Sequence, residues 1–360
     1  MEALYIHIPF CKTICSYCDF CKVFYQEKWT KPYIEELKKE LDEYGLSRPL
    51  STIYIGGGTP NSLSNKELEI LFNWIDTLPK QENIEYTIEC NVELITKEQI
   101  SLFLKHGINR VSIGIQTTHD HHLAKLNRHH NQDEIEYKIN LISRMGIKNI
   151  NVDLMYAFPN ETMEELEKDI NFFLTLPITH ISTYSLMIEP NTKLYIENIQ
   201  PISEDLDAEM YNLICHKLKE NNFEHYEISN FAKIGYQSKH NLTYWRNKGY
   251  YGIGVGASGY IENLRYTNTR SLTAYLNGTR HLEEESISKE LNQEYELMLK
   301  LRLKEGLSIS EYQNKYGIDL LSLDSVKREM RKQNIEYHDD RMFIPEHKLY
   351  ISNEILVDLL

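Results

Sequence analysis

The stretch Tyr5-Ile-His-Ile-Pro-Phe-Cys11-Lys-Thr-Ile-Cys15-Ser-Tyr-Cys18-Asp-Phe-Cys21 decides how the rest of the chain is read. It joins an apolar β-type run to a loop in which four of the chain's six cysteines fall. Scattered cysteines in a small secreted chain suggest disulfides, whereas a tight cluster in a large chain suggests a metal site in a reducing compartment. Thiolates spaced as Cys11-x3-Cys15-x2-Cys18 can wrap one small inorganic group, and soft sulfur ligation favours iron–sulfur or zinc. A structural zinc site would use a second Cys-x2-Cys knuckle, and Cys90 and Cys215 stand alone. Iron–sulfur is therefore expected. Three cysteines leave one iron of a [4Fe–4S] cube open for chemistry; a fourth, Cys21, would close it. A ferredoxin run would continue with a further Cys followed by Pro, but here Lys22-Val23 follows.

Outward from this loop, β-type runs recur at Leu4–Ile8, Thr52–Ile55, Ile84–Ile88, Arg110–Ile115, Ile150–Leu154 and His180–Leu186. Helical periodicity lies between them, as in Tyr33–Leu41, Glu67–Ile75 and Met163–Phe173, the last opened by a Thr162/Glu165 capping box. Such alternation predicts right-handed βαβ crossovers and a parallel α/β sheet, either open and doubly wound or curved into a barrel. In both forms functional groups gather at the carboxyl ends of the strands. The cysteine loop, Gly56-Gly-Gly-Thr-Pro60, Glu89, Gln116 and Asp153 all fall at or near those ends. Beyond residue 200 a helix is expected over Glu204–Asn221, then an irregular stretch rich in Tyr, Asn and Gly. Helices over Lys289–Lys304, Ser308–Tyr316 and Ser322–Lys332 precede a hairpin, Ile335–Ile344, turning at Asp339-Asp340. Helices followed by a small hairpin suggest a winged-helix-like module.

The 360 residues carry 39 Lys+Arg against 53 Asp+Glu, a formal charge of −14. That balance argues against nucleic-acid binding, which needs clustered cations. No run approaches the roughly 18 apolar residues of a membrane span, and the first residues do not read as a secretory signal; a cytoplasmic protein is expected.

With these motifs on the page, the chain resembles the radical S-adenosylmethionine (SAM) superfamily, through Cys11-x3-Cys15-x2-Cys18 with Tyr17 before the third cysteine. Tyr5-Ile-His-Ile-Pro-Phe-Cys11 and Gly56-Gly-Gly-Thr-Pro60 narrow the resemblance to the branch of oxygen-independent coproporphyrinogen III oxidase and the HemW-like haem chaperones. Ser112-Ile-Gly-Ile-Gln116, Asn127-Arg128 and Asp153-Leu-Met-Tyr-Ala-Phe-Pro159 are further matches. Tyr226-Glu-Ile-Ser-Asn-Phe-Ala232, His240-Asn-Leu-Thr-Tyr-Trp245 and Gly252-Ile-Gly-Val-Gly-Ala257 resemble the HemW-like group specifically. Only ten residues precede Cys11, whereas the oxidases carry a longer leader; they also place a fourth cysteine where Phe20 stands here. Cys21 fits neither pattern and is read as a buried non-ligand.

The resemblance implies a partial (β/α)6 TIM-like barrel over 1–225, a family-specific extension over 226–285 and a C-terminal α+β winged-helix-like module over 286–360. It implies that Cys11, Cys15 and Cys18 hold a [4Fe–4S] cluster whose open iron takes SAM. Tyr5, Tyr17, Gly57, Gly58, Thr59, Glu89, Gln116, Arg128 and Asp153 would contact SAM. It further implies binding of haem, with His240 the candidate iron ligand beside Tyr244 and Trp245, and transfer to an acceptor protein of a respiratory chain, with an electron donor for the cluster. The alternative is a coproporphyrinogen III oxidase-type radical enzyme. His7 is expected to orient the cysteine loop. His119, His121, His122, His129 and His130 are read as solvated helix faces.

Overall fold

A computed structural model describes residues 2–359. Six strands follow the sequence reading closely: β1 (Ala3–Ile8), β2 (Leu50–Gly57), β3 (Lys80–Asn91), β4 (Arg110–Gln116), β5 (Asn149–Tyr156) and β6 (His180–Ser185). They pair in parallel in simple order, β1-β2-β3-β4-β5-β6. Each crossover therefore steps one strand in the same direction. Right-handed connections that never reverse place all their helices on one face of the sheet, so the layout is singly wound, as in a barrel. A doubly wound sheet would need a reversal of strand order. The covering helices are α1 (Glu27–Tyr44), α2 (Asn65–Asp76), α3 (Lys97–Lys105), α4 (Asp120–Leu126), α5 (Gln132–Met145) and α6 (Met163–Thr175). The capping box expected at Thr162 and Glu165 opens α6.

Residues 226–285 contain more regular structure than their composition suggests. With Glu224–Glu227 (β7), Asn230–Ala232 (β8) and Tyr251–Ile253 (β9), the sheet reaches nine strands in the order β9-β1-β2-β3-β4-β5-β6-β8-β7. β9 runs parallel to β1, and β8 antiparallel to β6. The two edge strands, β9 and β7, do not pair, so the barrel is open. Strands this short leave no readable period in sequence. A three-stranded antiparallel sheet, Ser258–Ile261, Leu264–Asn268 and His281–Ser286, follows. Buried Glu40 on α1 fastens this region by accepting from Gly254 N at 2.8 Å, Asn268 Nδ2 at 2.6 Å and the Tyr275 hydroxyl.

Strand alternation decides what the barrel contains. One face carries Leu4, Ile6, Ile53, Ile55, Ile88, Val111, Ile113, Ile150 and Val152, buried in the main apolar core under the helices. The other carries Tyr5, His7, Thr52, Tyr54, Thr87, Glu89, Arg110, Ser112, Asn151, Asp153 and His180, a polar interior. The C-terminal helices begin and end near their expected places, at Lys289–Lys300, Ile309–Tyr316 and Asp324–Arg331. The hairpin Glu336–His338/Arg341–Phe343 turns through Asp339 and Asp340, both at positive φ, as a tight two-residue connection requires. These elements enclose an apolar core separate from the barrel's.

Candidate functional site

The cysteine loop leaves β1 at the carboxyl-end rim. Its ends are closed by Val23 N to Pro9 O at 2.8 Å and Tyr25 N to Cys11 O at 2.9 Å. Its middle is held from outside: Ser16 N donates to Leu126 O at 3.1 Å, and Asn127 Nδ2 to Ile14 O at 3.0 Å. His7 does what was expected of it, its Nε2 lying 2.7 Å from Cys21 O. Cys11 is buried while Cys15 and Cys18 are half-buried. Burial pushes the Cys11 thiol up to about 11, against a hydrogen bond from Thr59 Oγ1 at 3.4 Å, and raises Cys18 as well. A bound metal would reverse that preference, since a coordinating thiol is deprotonated outright.

Three thiols in one short loop are the soft donor type that an iron–sulfur cluster takes. Cys21 points elsewhere: its sulfur lies 3.5 Å from Arg270 O, and its Cβ presses on Gly256.

The glycine run bends over the loop. A Cβ on Gly58 would sit 2.9 Å from the Cys11 sulfur, and one on Gly57 (φ +113°) 2.7 Å from the His7 ring, so only glycine permits the approach. Gly57 N donates to Glu89 Oε2 at 3.0 Å and the Tyr54 hydroxyl to Oε1 at 2.7 Å. Asp153 accepts from Asn151 Nδ2 at 2.8 Å. Burial raises Glu89 to about 7 and Asp153 to about 6; Asp153's charge adds to the shift at Glu89. Buried Arg128 donates to Asn91 Oδ1 and, at 2.5 Å, to Gly114 O, leaving its Nε without a partner. Gln116, at φ 78°, ends β4 where the register with β5 shifts. Tyr17 packs beside Leu126, Met155 and Leu186, and the Tyr5 hydroxyl lies 3.1 Å from His7 Nδ1. The nine residues expected to contact SAM thus stand around one polar mouth beside the three thiols.

Arg110, at the amino end of β4, is a buried charge that the sequence reading does not single out. It is 1% exposed inside the barrel, with Nε and Nη1 unpartnered, and its charge acts on Glu89, Asp153 and His240. The signal was present: Arg110, Ser112, Gly114 and Gln116 alternate with Val111, Ile113 and Ile115.

His240, the candidate haem ligand, lies inside the barrel. It is 1% exposed in the interior, with Nδ1 at 2.8 Å from Thr52 Oγ1 and Nε2 at 2.6 Å from the Tyr244 hydroxyl, and it stacks on Tyr54. Burial drives it down to about 3. Both ring nitrogens stand at hydrogen-bond distance from a hydroxyl. The histidine clusters differ from expectation. His122 and His130 are buried, the latter 3.1 Å from Ile115 O through Nε2 and 3.3 Å from Glu93 through Nδ1. A cleft of about 470 Å³ lies elsewhere, between β7 and the C-terminal core, lined by Phe223, His225, Ile234, Leu242 and Leu303 among others.

Comparison with known proteins adds the following. Residues 5–173 match the radical SAM superfamily. The chain is 36% identical to a Lactococcus lactis protein named Heme chaperone HemW, over 98% of this chain and 96% of that one. Bacillus subtilis and Escherichia coli proteins of the same name are 35% and 34% identical; the alignments cover 99% and 86% of this chain and 98% and 85% of theirs. The Escherichia coli coproporphyrinogen III oxidase HemN, a radical SAM enzyme, superimposes with a TM-score of 0.87 at 17% identity, over 99% of this chain and 90% of that one. The last likeness speaks for the fold alone. No helix among the described residues is long and apolar enough to cross a membrane.

Proposed function

The chain belongs to the radical SAM superfamily and, within it, to the HemW family, and on that premise we propose that it binds haem and hands it to an acceptor protein. The same reading gives it a [4Fe–4S] cluster with one iron open to SAM. The observation that carries the cofactor assignment is the loop of three thiols under the Gly57–Thr59 backbone, facing a polar barrel mouth.

Cys11, Cys15 and Cys18 would hold the cluster. When bound, the cluster supplies an open iron for the amino and carboxylate groups of SAM and an electron for its reductive cleavage. Around it, Arg128 has an unused Nε–H for a carboxylate. The Gly57 and Gly58 backbone and Thr59 would border the methionine end. Glu89, Gln116 and Asp153 would receive amino and hydroxyl donors, with Tyr5 and Tyr17 alongside. The cationic sulfonium of SAM would favour the ionised forms of Glu89 and Asp153, which burial alone disfavours. Haem delivery rests on family membership. The acceptor would be a haem-requiring protein of a respiratory chain, and an electron donor and a reducing, cytoplasmic setting go with the same reading.

Anaerobic reconstitution followed by separate titrations with SAM and haem tests the proposal. We expect a full [4Fe–4S] complement of iron, lost in Cys15→Ser, a spectral shift on adding SAM, and haem uptake. His240→Ala should weaken haem uptake, and unchanged uptake by the folded variant would remove His240 as the ligand. Absence of haem uptake by wild type would overturn the chaperone reading. Oxidative decarboxylation of coproporphyrinogen III would replace it with the oxidase reading.

A further inference from the structure

His122, on α4, is fully buried, yet neither of its ring nitrogens has a hydrogen-bond partner. Leaving a buried polar group unpaired costs about 1–3 kcal/mol, and such a group calls for an explanation such as an ion. The Phe158 ring stacks against this imidazole, centroids 4.6 Å apart at 19°. The exposed His121 ring lies 3.9 Å away, centroid to centroid. Facing both is Glu165, in the first turn of α6. Its Oε1 is 3.3 Å from His121 Nε2, and its Oε2 is 3.9 Å from His122 Nε2. Glu165 is itself held: Oε2 accepts from Thr162 N at 3.0 Å, and its backbone oxygen lies 3.0 Å from His119 Nε2.

Metal–nitrogen and metal–oxygen bonds of about 2.0–2.2 Å in tetrahedral geometry set donors about 3.3–3.6 Å apart. One donor atom of each residue lies within 4.8 Å of the others, so side-chain rotations that shorten the separations by at most about 1.5 Å close the set. Two imidazoles and a carboxylate suit zinc and its divalent neighbours. We infer that His121, His122 and Glu165 form a second metal site, for a divalent transition ion of the zinc class. It is separate from the cysteine loop and ties α4 to α6. Three protein ligands leave a fourth position for water, and the exposed side of His121 is the way in.

The site is tested on tag-free, anaerobically reconstituted protein equilibrated with Zn²⁺ and desalted, with zinc and iron measured together. Wild type should retain one equivalent of zinc in addition to its iron. Its zinc absorption spectrum should show nitrogen and oxygen neighbours and no sulfur. His121→Ala removes an exposed side chain. Glu165→Gln keeps the capping box, because glutamine also serves there. Both should lose the zinc, weakening its retention at least tenfold, with iron content unchanged. Zinc retained equally by the variants, sulfur in the zinc shell, or no zinc on wild type would each overturn the site.

Discussion

A methyl group added at Gly58 would meet the carbonyl carbon and oxygen of Pro9 at 2.7 Å and the Cys11 sulfur at 2.9 Å. Backbone cannot swing aside as a side-chain tip can, so the clash would be relieved by moving the cysteine loop. Gly58→Ala should therefore lower iron retained after reconstitution several-fold, while stability falls by about 1–3 kcal/mol. Iron analysis beside a urea melt reads both; unchanged iron would show that the approach has no bearing on the loop. His240 gives the opposite lesson at this scale. Tyr244, which meets its Nε2, is a sequence neighbour, but Thr52, which meets its Nδ1, lies far away in the chain. A lone histidine in a sequence carries no mark of which partners its ring will meet.

The element that orders the cysteine loop is α4, more than a hundred residues downstream. Asn127 ends this helix in the left-handed region, φ 60° and ψ 46°, and its Nδ2 holds Ile14 O. Alanine there should cost about 1–2 kcal/mol for the left-handed backbone and about 1 kcal/mol for the hydrogen bond. Asn127→Gly restores the backbone freedom but not the bond. Both variants should release iron to a chelator faster than wild type, and the glycine variant should be the more stable of the two. Release at the wild-type rate in both would mean that α4 does not hold the loop. The same packing explains why His122 and His130 are buried although their surroundings read as polar: α4 and the turn after it are pressed against β4 and α6.

At the scale of the whole molecule, the polar interior makes stability depend on pH in a specific way. Burial raises Glu89 and Glu227 to about 7, Glu161 to about 8 and Asp153 to about 6, from ordinary values of 4.5 and 3.8. The native chain holds these protons where the unfolded chain has lost them, so this group makes stability fall as pH rises. Burial also lowers His7, His122 and His225 to about 4 and His240 to about 3, from 6.5. These make stability rise with pH up to about 6.5. From about pH 4.5 to 6.5 the two groups oppose one another; above 6.5 only the carboxylates still titrate. The cofactor-free chain should therefore show a broad maximum, then lose stability between about pH 6.5 and 8. Urea midpoints at pH 5, 6.5 and 8 check it, and a midpoint that climbs from 6.5 to 8 would contradict it.

The amino-acid sequence by itself determined the alternation of strands and helices, the three-thiol loop and the glycine run, because each is a local pattern of period or spacing. It also carried the C-terminal hairpin, through two adjacent aspartates suited to a tight turn. Tertiary structure alone decided that the sheet is singly wound and open, that β7–β9 extend it, and that Arg110 is buried inside the barrel. It likewise decided that His240 is buried and that His121, His122 and Glu165 converge. The physical reason is the same in each case. Strand order, burial and the partner of a polar atom depend on residues far apart in the chain, whose meeting no local period records.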